Sequence, residues 1–189
     1  MSKYDRQKAL NLLQEYTKSD SLLRHAYAVE QVMRKYAIKY GEDENKWGIT
    51  GLLHDFDYEK YPTAEEHPFI GNKILKEHGY EDDILNAIMG HADYTGVPRT
   101  TLLAKTLFAC AELAGFFFAV IYVRPSKSIN DVKVKSVTKK LKDKGFAAKV
   151  SREDINNGIA ELGIDRTEHI QFVIDALKDK APELGLAGV

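Results

Sequence analysis

Apolar side chains recur every three or four positions along most of this chain, the spacing that lines one face of an α-helix. Leu10, Leu13 and Tyr16 predict a first helix. Ser19-Asp20-Ser21 supplies a cap cluster, after which Leu22, His25, Val29, Val32 and Tyr36 place His25 on the core-facing stripe of a second helix. A third runs from Trp47 to about Asp55 and is followed by a polar and aromatic loop, Asp57 to Pro62. His67-Pro68 opens the next helix, because proline suits a first turn; Phe69, Ile70, Ile74 and Leu75 form its apolar face and His78-Gly79 ends it. Asp82 and Asp83 cap a further helix with Ile84, Ile88 and His91 on one stripe.

The stretch from about Leu102 to Tyr122 is apolar nearly all round and so predicts a core helix. Val134, Val137 and Leu141 mark another helix. Ser151-Arg152-Glu153-Asp154 reads as a capping box before Ile155, Ile159 and Leu162, and Thr167 as the cap of a last helix through Ile170, Val173, Ile174 and Leu177. No segment alternates strictly between apolar and polar residues, so no strands are expected. The pattern predicts an all-α protein: one domain over residues 1–189, with a core at about 20–125 and a helical extension at about 126–189.

Composition changes this picture little. The net charge of -1 carries no global bias towards nucleic acid. Residues 124–149 are locally basic, with nine lysines and arginines against Asp131 and Asp143, a net +7. A lysine-rich helix of this kind is most often a solvated face, and no nucleic-acid partner is expected from it. The single cysteine, Cys110, sits in an apolar run and fits a reducing compartment. Met1 to Arg6 is polar, and the apolar stretch Leu113–Val123 is short for a bilayer. The expectation is a cytoplasmic protein without a membrane partner.

The candidate chemistry centres on His54 and Asp55, at the end of the apolar run Ile49, Leu52 and Leu53. Neighbours on a helix point about 100° apart, so the two can take different places around one ion. His25 upstream and His67 and His91 downstream could complete a cluster. A lone histidine on an apolar face is usually a hydrogen-bonded core residue; an adjacent His-Asp with three further histidines is a stronger signal. His78 reads as surface chemistry at a helix end. His169, without partners in the sequence, reads as structural.

His25, His54-Asp55, His67 and His91, in that order in a helical chain, resemble the HD-domain metal-dependent phosphohydrolase superfamily. The likeness is greatest to its small stand-alone prokaryotic branch of the HDIG type, and Val-Arg-Pro-Ser-Lys at Val123–Lys127 belongs to it. One element departs. Where the family has an aspartate opening an Asp-Glu-Leu-x-Gly stretch, its last metal ligand, this chain reads Ala111-Glu112-Leu113-Ala114-Gly115. Glu112 is rotated about 100° from that position on a helix.

The resemblance implies an HD-fold helical bundle that hydrolyses a phosphomonoester or phosphodiester, expected to be a nucleotide, by water activated on a divalent ion. His25, His54 and Asp55 would hold one ion; His67 and His91 would hold a second ion or the substrate phosphate, and Asp55 could bridge. Mixed histidine and carboxylate ligation suits Mn, Fe, Co, Ni or Zn better than Mg. Asp57 or Asp93 would act as general base or orient an imidazole. Arg124 and Lys127 would clamp phosphate. The alternative is a metal-poor HD domain that binds nucleotides or proteins without turnover.

Overall fold

The computed structural model describes residues 4–189, so the polar stretch Met1–Lys3 lies outside the described residues. Nine α-helices and no strand occur among them, with a single isolated bridge between Ser128 and Ala187. The protein is all-α, as its periodicity predicts. The chain divides into two compact units, one ending at Phe108 and the other starting at Ala109.

The first unit is built on α1 (Arg6–Tyr16), α2 (Asp20–Tyr40), α3 (Glu44–Leu53), α4 (Phe69–Glu77) and α5 (Asp82–Gly90). Asp5 caps α1 by accepting from the Gln7 and Lys8 amides, and Asp43 caps α3 by accepting from Lys46. Helix α2 stops where Gly41 takes the left-handed conformation, φ 72°, and returns its N–H to Ala37 O. Ser19 occupies the N-cap position of α2 but makes no side-chain capping bond. The carboxylate of Glu59 does that work from the loop after α3, accepting from the Lys18 and Ser19 amides at 2.7 and 3.0 Å. These two N–H groups hold the Glu59 carboxyl below its ordinary range. Thr17 Oγ1 also donates to Phe56 O at 2.8 Å, while the Tyr16 ring meets Phe56 edge-on. The loop that follows His54-Asp55 is thereby pinned to the α1–α2 junction.

Helices α2 and α3 approach closely because Gly51 has no side chain. A Cβ there would lie 2.9 Å from both Met33 Cγ and the Val29 carbonyl oxygen. Val29, Val32, Met33, Tyr36, Trp47, Ile49, Leu52 and Leu53 fill the contact, all buried. A charge network borders it. Glu30, only 4% exposed, accepts from Arg6 at 2.6 and 2.8 Å and from Arg34 at 3.0 Å, so the buried carboxylate is fully partnered.

Helix α6 (Leu102–Tyr122) crosses the boundary between the units. By length and composition it could span a bilayer, contrary to the expectation from Leu113–Val123 alone, yet 72% of its apolar window is buried inside the protein, as in a core helix. Cys110 is fully buried on it, and burial pushes the thiol up, away from the reactive thiolate.

The second unit continues through α7 (Val134–Lys142), α8 (Arg152–Leu162) and α9 (Arg166–Lys178). Ser151 caps α8 through the Asp154 amide. Asp165, rather than the expected Thr167, caps α9, accepting from the Glu168 amide at 3.0 Å; Thr167 falls inside the first turn. His169 is not partnerless: it is fully buried, and its Nε2 donates to Ala109 O at 2.9 Å.

Gly51→Ala should destabilise the first unit by about 1–3 kcal/mol, the usual cost of forcing an extra methyl into a packed contact. Urea denaturation checks this; an unchanged midpoint would show that α2 and α3 can separate freely.

Candidate metal centre

Three of the five clustered residues stand at helix ends. His54 is the C-cap of α3, His91 the C-cap of α5, and His67 lies just before Pro68, the N-cap of α4. A helix C-terminus leaves carbonyls without intrahelical donors. His54 Nδ1 donates to one of them, Gly51 O, at 2.7 Å, and His91 Nδ1 donates to the equivalent carbonyl of Ile88, three residues back in each case. The same local device therefore fixes both rings with Nε2 pointing outward. His25 comes from the middle of α2, and Asp55 follows His54 in the turn.

The outward nitrogens converge on Asp55. Its Oδ2 lies 3.2 Å from His54 Nε2 and 3.6 Å from His25 Nε2, and these two nitrogens are 3.3 Å apart. Its Oδ1 lies 3.1 Å from His91 Nε2 and 3.3 Å from His67 Nε2, and those two are 3.4 Å apart. The result is two triangles of donor atoms that share one carboxylate. Ligands about 2.1 Å from a transition ion stand roughly 3.0–3.4 Å from each other in octahedral or tetrahedral geometry, so each triangle suits one ion. The donors, imidazole nitrogen and carboxylate oxygen, are those of borderline divalent metals.

His67 is held differently. Its Nδ1 donates to Asp57 Oδ1 at 2.8 Å, and Asp57 Oδ2 accepts from the Gly71 amide at 2.9 Å in the first turn of α4. Asp57, 1% exposed, is thus both the orienting partner of an imidazole and an anion at a helix N-terminus. Gly71 makes the second role feasible: a Cβ there would lie 2.5 Å from the Asp57 carboxyl carbon and 2.6 Å from Oδ2. Sequence reading passed over Gly71, although a glycine in the first turn behind His-Pro was a signal of close approach.

Electrostatics follow the geometry. Burial lowers His25, and the nearby His54 lowers it further, to about 4. Burial also opposes charge on His67, but hydrogen bonds with Asp55 and Asp57 outweigh it and raise the imidazole to about 9. For Asp55, burial favours the neutral acid, yet His54 and the surrounding imidazole donors hold it well below the ordinary carboxylate range.

The remaining candidates have partners or settings of their own. Asp93, on a short 3-10 turn (Asp93–Thr95), pairs with Arg99 at 2.7 Å. Arg99 also donates to Gly90 O at 2.7 Å and stacks on Phe108, 3.6 Å from the ring centroid. Arg124 and Lys127 belong to the second unit: Arg124 Nη2 donates to Ser136 Oγ at 2.7 Å, and Lys127 is exposed with φ 46°. His78 is exposed at the end of α4. Ala111 is buried on α6 and offers a methyl group in place of the family's carboxylate.

Residues 22–113 match the family model described as the HD domain. Over 98 residues the chain is 32% identical to the ribonuclease Y of Oleidesulfovibrio alaskensis, a match that covers 51% of this chain and 18% of that protein. The ribonuclease Y of Lawsonia intracellularis is 32% identical over 94 residues, covering 49% and 18%. The chain therefore spans less than a fifth of the length of these curated relatives. No solved structure matches significantly.

Loading a divalent ion at pH 7 should release protons. His67, with its pKa near 9, is charged at that pH in the metal-free protein and must become neutral to ligate, whereas His25, near 4, has none to lose. The sign for stability is the reverse of the sign for loading. His67 stabilises the metal-free fold below its unfolded value of 6.5, and this is lost as pH rises through 9. Calorimetric titration with Mn²⁺ in two buffers of different ionisation enthalpy would reveal the release; identical heats would contradict it. Gly71→Ala should push Asp57 off its amide and weaken metal binding at the His67 and His91 triangle by about 10–100-fold. The same titration checks this, and unaltered affinity would show that Asp57 does not orient His67.

Proposed function

Because residues 22–113 belong to the HD-domain family, of the metal-dependent phosphohydrolase superfamily, we propose that this protein hydrolyses a phosphomonoester or phosphodiester, with a nucleotide as substrate. The observation that carries this reading is the pair of donor triangles sharing Asp55. His25, His54 and Asp55 would hold one divalent ion and Asp55, His67 and His91 a second, with Mn, Fe, Co, Ni or Zn the suitable metals. Such ions, when bound, neutralise charge on a phosphoryl oxygen and make a water acidic enough to attack at neutral pH.

The chain's own contribution is placement. Asp55 stays ionised between four imidazoles and turns one oxygen to each triangle. The Gly51 and Ile88 carbonyls keep the His54 and His91 protons on Nδ1 and leave Nε2 as the ligating atom. Asp57 does the same for His67; with both oxygens already engaged, it supports the reading as a positioning residue better than that as a general base. Asp55 is 26% exposed, which leaves the cluster reachable from solvent. Arg124 and Lys127, in the second unit, are of the residue types that bind phosphate.

A binding module without turnover has one observation in its favour, Ala111, which removes the family's last carboxylate ligand. Three protein donors with an open position are the pattern of hydrolytic sites, so this loss does not by itself remove the ion.

Elemental analysis of protein purified without chelator should find one to two equivalents of transition metal, lost in His54→Ala. With that metal supplied, hydrolysis of nucleotide monoesters and diesters should fall at least about a hundredfold in the variant, reflecting several kcal/mol of lost charge stabilisation. Protein that stays metal-free after incubation with Mn, Fe, Ni and Zn would defeat the hydrolase reading. Ligand-induced stabilisation without turnover would then favour the binding module.

A further inference from the structure

The first unit leaves few large apolar or aromatic side chains exposed, and three of them, Tyr58, Phe69 and Tyr94, belong to the surroundings of His67. The Tyr58 ring stands edge-on to the His67 imidazole, centroids 5.3 Å apart at 83°. The Tyr94 hydroxyl donates to the His67 carbonyl at 2.8 Å. Phe69 opens α4 two residues after His67. Exposure is 42% for Tyr58 and 55% for Tyr94, so each ring is held through an edge or its hydroxyl while aromatic surface stays in solvent.

Neither ring rides on a loose segment. The Tyr58 amide donates to Asp55 O at 3.0 Å. The turn that carries Tyr94 is tied down by Thr95 Oγ1, which donates to Met89 O and Ala92 O, both at 2.9 Å, and by the Asp93–Arg99 pair. Both tyrosines touch His67, whose Nε2 is 3.3 Å from Asp55 Oδ1. Tyr58 is therefore one side chain removed from the shared carboxylate, and Tyr94 is anchored on the main chain of His67.

We infer that Tyr58 and Tyr94 form a stacking platform for the base of a nucleotide whose phosphate lies at the Asp55 cluster. The inference rests on the phosphohydrolase reading and specifies its substrate class. A sugar phosphate needs hydroxyl and amide partners, whereas this rim offers flat, neutral π-surface, which every nucleobase can use. The base could come from a free nucleotide or from the end of a nucleic-acid strand, and the chemistry of the platform is the same for both.

The test uses the full chain loaded with Zn²⁺ and equilibrium dialysis of adenosine and of uncleavable forms of AMP, ribose 5-phosphate and the dinucleotide ApA, each with the scissile ester oxygen replaced by methylene. AMP should bind at least about tenfold more tightly than ribose 5-phosphate, in line with the usual worth of one stacked base. Tyr58→Leu and Tyr94→Leu, which keep apolar bulk but lose the ring, should each erode that ratio while zinc content and ribose 5-phosphate affinity stay unchanged. Tyr94→Phe should keep it. ApA binding more tightly than AMP would assign the platform to strand ends, and the reverse order to free nucleotides. Equal affinity for AMP and ribose 5-phosphate, or a ratio that survives both leucine variants, would overturn the platform. Adenosine bound through the tyrosines, with no gain from a phosphate, would keep the platform and sink the phosphohydrolase reading instead.

Discussion

Asp55 must stay ionised while largely removed from water, and the rest of the site depends on how that constraint is met. A buried carboxylate without partners would neutralise itself by taking up a proton. Here four imidazole nitrogens stand 3.1–3.6 Å from its two oxygens, two on each. In the metal-free protein the raised His67 supplies part of the countercharge. The same inward geometry presents nitrogen lone pairs to a cation once the protons leave. One arrangement thus satisfies the buried carboxylate and forms a donor set that could hold a divalent ion, and the raised His67 and lowered His25 record how the charge is divided between the two sides.

Aiming the rings falls to helix ends. Two histidines use the carbonyl three residues back at a helix C-terminus, a group that would otherwise lack a donor. The third uses Asp57, itself an anion at the start of α4. Structural needs and ligand orientation are met by the same bonds, so α3, α4 and α5 each terminate or begin where a ligand is required. Gly51 contributes twice: its missing side chain lets α3 approach α2, which carries His25, and its carbonyl orients His54.

Much of this was legible in the sequence, because helical periodicity and the order of histidines are one-dimensional signals. The helices came out within a few residues of their predicted positions, α6 among them. Capping was read less well. Ser19 and Thr167 have the right chemistry for a cap, but Glu59, forty residues along, and Asp165 supply the bonds. Partners of this kind depend on where a loop returns in space, which residue spacing does not encode. Gly71 escaped for the same reason, since its meaning lies in the carboxylate that approaches it. His169 looked partnerless because its acceptor is sixty residues away.

The substitution of Ala111 gains its meaning from these geometries. One more carboxylate would give an ion a fourth protein donor, but each triangle already supplies three through Asp55. Three donors tie an ion to the protein and leave positions for water and substrate, whereas a filled tetrahedral shell is the mark of a structural site. Losing a carboxylate also removes one negative charge, so an ion bound without it keeps more of its positive charge to offer a phosphoryl oxygen. The family's missing ligand therefore weighs against tight retention of an ion more than against the chemistry an ion would do there. Three donors make the bonds that hold the rings in place more consequential, those to Asp57, to the Gly51 carbonyl and from the Gly71 amide.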